Sequence, residues 1–135
     1  MSALGGIEVV FLATALLFRT LRELQIESDI LKEIKEEEYK METCDGKIEK
    51  VDILVKDYEG TTVGFKKRED GIYQAIIPRV GSEVMRKKHE QLVNHIRRRY
   101  AYNLVKEDLK RKGFTIVEEK EVGKDTVKIV ARRWR

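Results

Sequence analysis

Residues 48–77 read IEKVDILVKDYEGTTVGFKKREDGIYQAII, and this stretch decides the fold. Val51, Ile53 and Val55 alternate with Lys50, Asp52 and Lys56, the period-two pattern of a strand with one dry and one wet face. Leu54 interrupts the alternation. Tyr58-Glu59-Gly60 forms a turn, and Thr62 to Lys67 forms the next strand, with Val63 and Phe65 facing one way. Asp70-Gly71 supplies a second turn before Ile72 to Ile77, because Asp-Gly tolerates the positive φ angles of tight hairpins. Pro78 closes that strand, since its ring removes a ladder donor. Upstream, Asp45-Gly46 joins a strand near Tyr39 to Thr43 to one spanning Ile48 to Lys56. The pattern predicts a four-stranded antiparallel meander.

Toward the amino end, Gly6 to Phe11 reads as a buried strand. Ala13 to Leu24 reads as a helix with Leu16, Leu17, Leu21 and Leu24 on one face. The apolar run from Leu4 to Phe18 contains Glu8 and ends at Arg19, short of the roughly twenty residues a bilayer span needs. No basic residue precedes it, as a secretory signal requires. A soluble, cytoplasmic protein with no membrane partner is expected. Downstream, Ser82 is placed to cap a long helix that runs to Lys112 and stops at Gly113. Leu92, Val93, Ile96, Tyr100, Ala101, Leu104 and Val105 are its expected core side, drifting around the helix after Ile96. Phe114 to Glu121 and Thr126 to Trp134 form a last hairpin around Gly123-Lys124-Asp125. The predicted fold class is α+β: an antiparallel meander sheet packed against two helices, with a C-terminal β-hairpin, as one layered-sandwich domain over 1–135.

Composition fits that size. The 135 residues include 41% hydrophobic and 39% charged side chains, enough for one core beneath an ionised surface. The single cysteine excludes an internal disulfide framework and a cysteine-rich zinc site. The formal charge is +4, but it is not evenly spread. Residues 1–60 hold 8 basic and 14 acidic groups, whereas residues 61–135 hold 20 and 10. A net −6 half thus precedes a net +10 half. Such a dipole can steer an anionic partner or let neighbouring copies attract each other.

Catalytic signatures are missing from the sequence. His89 and His95 stand six apart, about 240° around a helix, so they share no metal-facing side. Cys44 lies between Glu42 and Asp45, whose charges raise a thiol pKa and disfavour a reactive thiolate. Glu36, Glu37 and Glu38 point in different directions and read as a solvated charge run. Gly60, Gly64 and Gly71 punctuate strands and open no phosphate-binding helix. No catalytic residue, metal ligand or cofactor is therefore assigned.

The basic residues carry more information. Lys88, Arg99, Lys106 and Lys110 fall within about 40° of one another on an ideal helix, opposite much of the apolar stripe. Arg97 and Arg98 flank them, and the chain ends Arg132, Arg133, Trp134, Arg135. Guanidinium forks suit phosphates, and a terminal indole can stack on a base. These ten residues are the candidate polyanion or partner face. The plainer alternative is a charged solubility surface, with Trp134 closing the core.

Ordered short motifs add a resemblance. Val63-Gly64-Phe65, Asp70-Gly71-Ile72-Tyr73, Arg99-Tyr100-Ala101 with Val105, Gly113-Phe114, Val117-Glu118-Glu119 and Arg132-Arg133-Trp134 stand in the order of one family. The chain resembles the uncharacterised hypothetical chloroplast open-reading-frame thirty-five proteins of red-algal plastids and cyanobacteria. These form the domain-of-unknown-function family twelve fifty-seven. Two departures are a start without the usual histidine, at Gly5-Gly6-Ile7-Glu8, and a longer segment from Glu27 to Glu38. The resemblance implies small soluble proteins without an established activity, discussed alongside ATPases of the AAA class, and no catalytic residue to carry over. Two expectations follow: a non-enzymatic adaptor for a protein partner, an AAA-class ATPase among the candidates, or a nucleic-acid or ribonucleoprotein binder using the basic helix face and the Arg/Trp tail.

Overall fold

The computed structural model describes residues 10–11, 14–43, 45–121 and 127–133. Along the chain its elements are β1 (Val10–Phe11), α1 (Thr14–Ile26), β2 (Glu33–Lys35), β3 (Tyr39–Glu42), β4 (Ile48–Val51), β5 (Ile53–Lys56), β6 (Thr62–Lys67), β7 (Tyr73–Ile76), α2 (Glu83–Arg111), β8 (Phe114–Glu121) and β9 (Val127–Arg133). Five strands form an antiparallel sheet in the order β1-β7-β6-β5-β2. The pairs β3–β4 and β8–β9 stand as separate two-stranded sheets. The α+β class read from the sequence is the class of the structure.

Register explains which residues meet. Ile53 pairs with Phe65 and Phe65 with Ala75, whereas Leu54 pairs with Gly64 and Gly64 with Ile76. Because alternate residues face opposite sides, Ile53, Val55, Val63, Phe65 and Tyr73 share one buried face. They pack on Leu16, Leu17, Leu21 and Leu24 of α1 and on Leu92, Val93, Ile96 and Tyr100 of α2. Phe11 meets Phe65 and Tyr100 edge to face, at 5.6 and 5.0 Å between ring centroids. Edge-to-face packing sets the positive rim of one ring against the negative face of the next. On the opposite face, Met41, Val51 and Ile76 form a smaller core, joined by Leu54. Leu54 breaks the polar alternation because both faces of β5 are covered.

Three expectations are corrected. Ile48 to Lys56 is not one strand: it breaks at Asp52, with β4 on one sheet and β5 on another. The Asp52 amide donates to the Phe65 carbonyl at 2.8 Å, and its carboxylate accepts from the Lys67 amide at 2.7 Å. Those two bonds satisfy the backbone where the ladder changes partner, so β4 can fold across the back of β6. Second, Glu27 to Glu38 holds a strand that periodicity does not reveal. β2 has three residues, only Ile34 of them apolar, and it is fixed by pairing with Leu54 to Lys56 of β5. The expected meander is therefore a five-stranded sheet with a hairpin folded behind it. Third, α2 buries His89, Leu92, Val93, Ile96, Tyr100 and Asn103, while Ala101, Leu104 and Val105 are exposed. Past Asn103 no residue of the helix is buried. There α2 has left the sheet and packs on β8.

The ends of α2 follow local chemistry. Ser82 Oγ accepts from the Met85 amide at 3.2 Å, satisfying one of the free first-turn donors. Gly113 follows at φ +85°, a left-handed value that suits a residue without Cβ. The helix expected at Ala13–Leu24 is Thr14–Ile26. Of the expected strand Gly6–Phe11, Val10 and Phe11 are described, pairing with β7, and the rest lies outside the described residues. Among the described residues no helix is long and apolar enough to cross a membrane.

Candidate functional site

The ten candidate residues start from helix geometry. The buried side of α2 centres on Ile96, and Lys88, Arg99, Lys106 and Lys110 lie about 40–80° from it around the helix. They border the buried face and do not oppose it, as the broader apolar stripe had implied. A long cation on that border is within reach of carboxylates on neighbouring elements. Three of the four are so paired: Lys88 with Glu59 at 3.1 Å, Arg99 with Glu23 at 2.9 Å and Glu27 at 3.2 Å, and Lys106 with Glu119 at 3.0 Å.

Arg99 belongs to a polar seam between the helices. The Asn103 amide donates to Thr20 Oγ1 at 3.1 Å and to Glu23 at 2.7 Å, and the Thr20 hydroxyl donates to the Leu16 carbonyl at 2.8 Å. Thr20 and Asn103 are buried, so these bonds hold groups that would otherwise lose water without compensation. Arg19 closes the seam on Glu107 at 2.9 Å. Burial pushes the Glu23 carboxyl up, but the Asn103 and Arg99 hydrogen bonds and the charges of Arg99 and Arg19 outweigh it and hold it below its ordinary 4.5. The folded value is the lower one, so the stabilisation is complete above the unfolded value. It is lost as pH falls through the folded value. The urea midpoint is therefore expected to fall as pH drops below 4.5, and Glu23→Gln should flatten that decline. An identical acid slope in the variant would remove Glu23 as the source.

A second knot fastens the C-terminal hairpin. Glu119 on β8 accepts from the Tyr102 hydroxyl and from Lys106, while Arg99 and Lys106 lie over the Tyr102 ring at 5.3 and 4.9 Å. Those two bonds hold the Glu119 carboxyl below its ordinary range. Its hydrogen bond and charge raise Lys106. The carboxylate and ammonium are matched partners, and their first role is to hold β8 against α2.

Arg98 donates to the Asn94 carbonyl and contacts the His95 ring. Among the described residues, no carboxylate pairs with Arg97, Lys110 or Arg132. The side chain of Arg133 and all of Trp134 and Arg135 lie outside the described residues, as does Cys44. His89 is buried with its Nδ1 at 2.7 Å from the Met85 carbonyl, a local helix contact. Glu38 pairs with Lys50 at 2.6 Å. Among the described residues no group of three or more His, Cys, Asp or Glu stands ready to hold a metal ion.

Sequence reasoning passed over Thr20, Glu23, Asn103 and Glu119. The first and third had a readable signal. Thr20 lies inside the leucine stripe of α1, and Asn103 follows Ile96 and Tyr100 at helical spacing. One polar residue at a core position in each of two helices is the pattern of a paired polar contact.

Fold and site together define an α+β chain in which a sheet carries two helices on one face and a hairpin on the other, and in which most of the basic helix border is tied to the chain's own carboxylates. The chain belongs to the family described as Protein of unknown function (DUF1257), whose model matches residues 20–130. No curated protein and no solved structure matches it.

Proposed function

We propose that the protein is a cytoplasmic, non-enzymatic adaptor that holds a protein partner on its charge-polarised surface. The supporting observation is the internal use of Arg99 and Lys106, partly buried cations that a phosphate backbone would have to compete away from carboxylates at about 3 Å. Beside them, Leu104, Val105 and Val117 remain 44–57% exposed, a surface suited to apolar protein contact. The family resemblance adds an ATPase of the AAA class as the first companion to seek. The polyanion alternative keeps Arg97, Lys110 and Arg132.

Affinity purification of the full chain from a native extract, with and without nuclease, tests the reading. A stoichiometric protein that survives nuclease is expected. Retention on RNA or DNA that weakens steeply with salt, and is lost in Arg97→Glu/Lys110→Glu, would replace the adaptor by the nucleic-acid binder. Arg99 is unsuitable for that test, because reversing it breaks the helix seam.

A further inference from the structure

Two strands show open edges: β2, whose Glu33 and Lys35 pair at 3.3 Å inside an otherwise acidic segment, and the basic β9. β2 is the last strand of the main sheet and pairs only with β5 among the described residues. Between it and α1 lies a groove of about 440 Å³ lined by Phe18, Ile26, Ile34, Arg22 and Glu36 among others, with Ile26 75% exposed. Residues 27–38 carry six carboxylates against two lysines. At the other end of the chain, β9 pairs only with β8 among the described residues, and β8 is the strand packed on α2. The β9 sequence VKIVARR has three basic and no acidic residues, and Ile129, Val130 and Ala131 are only half-buried. A lone two-stranded ribbon is marginal in water, and its outer edge offers unpaired backbone groups.

We infer that β9 of one copy adds to the open edge of β2 in a second copy. Main-chain bonds extend the five-stranded sheet, the apolar β9 residues border the α1–β2 groove, and the basic side chains of β9 approach the acidic segment that holds Glu33 and Glu36. Charge favours this pairing. The acidic 27–38 segments of two copies repel each other, as do two β9 strands, which disfavours both symmetric pairings. What remains is a head-to-tail contact, which leaves one free edge of each kind at the ends of a chain of copies or closes into a ring. The inference goes beyond the adaptor reading, which needs a foreign partner and no second copy, and the two are tested separately.

Light scattering and sedimentation of the purified chain provide the test. Association is expected in about 20 mM salt and dissociation in about 500 mM, where charges are screened beyond a few ångströms. Glu33→Lys/Glu36→Lys and Lys128→Gln/Arg132→Gln are each expected to be monomeric while keeping the wild-type circular dichroism spectrum. Mixed in equal amounts they should give a one-to-one heterodimer and nothing larger, because each retains one intact edge. A wild-type chain that stays monomeric in dilute salt would overturn the inference, whatever the variants do. So would association that persists in both variants, or a mixture that stays monomeric.

Discussion

Phe65→Ala is expected to lower stability by about 3–5 kcal/mol, the range for deleting a buried aromatic ring and leaving a cavity. Phe65 is fully buried in β6, beneath both helices and edge-on to Phe11. Its neighbours are strands fixed by hydrogen bonds on both sides, through Ile53 and Ala75. The site therefore has little freedom to collapse into the space left behind. A urea or thermal titration reads the effect directly. A loss under about 1 kcal/mol would mean that the helix layer closes over the gap.

The next residue is sensitive in the opposite sense. Gly64 faces the back of the sheet, and a Cβ there would stand 2.7 Å from Val51 Cγ1 and 3.1 Å from both Val51 Cβ and Cγ2. Gly64 is not needed for a left-handed backbone; it is needed because β4 crosses the sheet at this point. Gly64→Ala should cost about 1–3 kcal/mol through overpacking. Val51→Ala removes two of the three clashing carbons, so the double variant should be more stable than the sum of the two losses predicts. A coupling of about 0.5 kcal/mol or more is expected for residues in contact, whereas additivity within that margin would show that the hairpin simply lifts away. Lys66–Glu49 at 2.8 Å resists such lifting, since it ties β6 to β4 beside the contact.

The same two residues show how far a one-dimensional pattern reaches. Val63 and Phe65 announce a strand with an apolar face, and the strand and face are as read. Gly64 between them looks like a weak point until β4 is seen lying on it. The break at Asp52 is equally silent, since an aspartate between Val51 and Ile53 satisfies the alternation of a continuous strand. Only the amide of Lys67, fifteen residues away, gives its carboxylate another task. The candidate site was legible as a list of cations and not as a surface. Lys88, Arg99 and Lys106 share a helix border by spacing alone, but their partners Glu59, Glu23, Glu27 and Glu119 come from three other parts of the chain.

The sequence by itself determined what depends on short-range order: alternation within strands, the Asp-Gly turns, the Ser82 cap, the Gly113 stop and the polarity of charge between the two halves. Those features answer to bonds and torsions within a few residues, so they survive without knowledge of the rest. The tertiary structure alone decided that β2 exists, that β4 leaves the main sheet, that Leu104 and Val105 face out, and that most of the basic helix border is neutralised. Each of these is fixed by a contact between residues far apart in the chain, whose geometry arises only when the helices and the sheet close on one another.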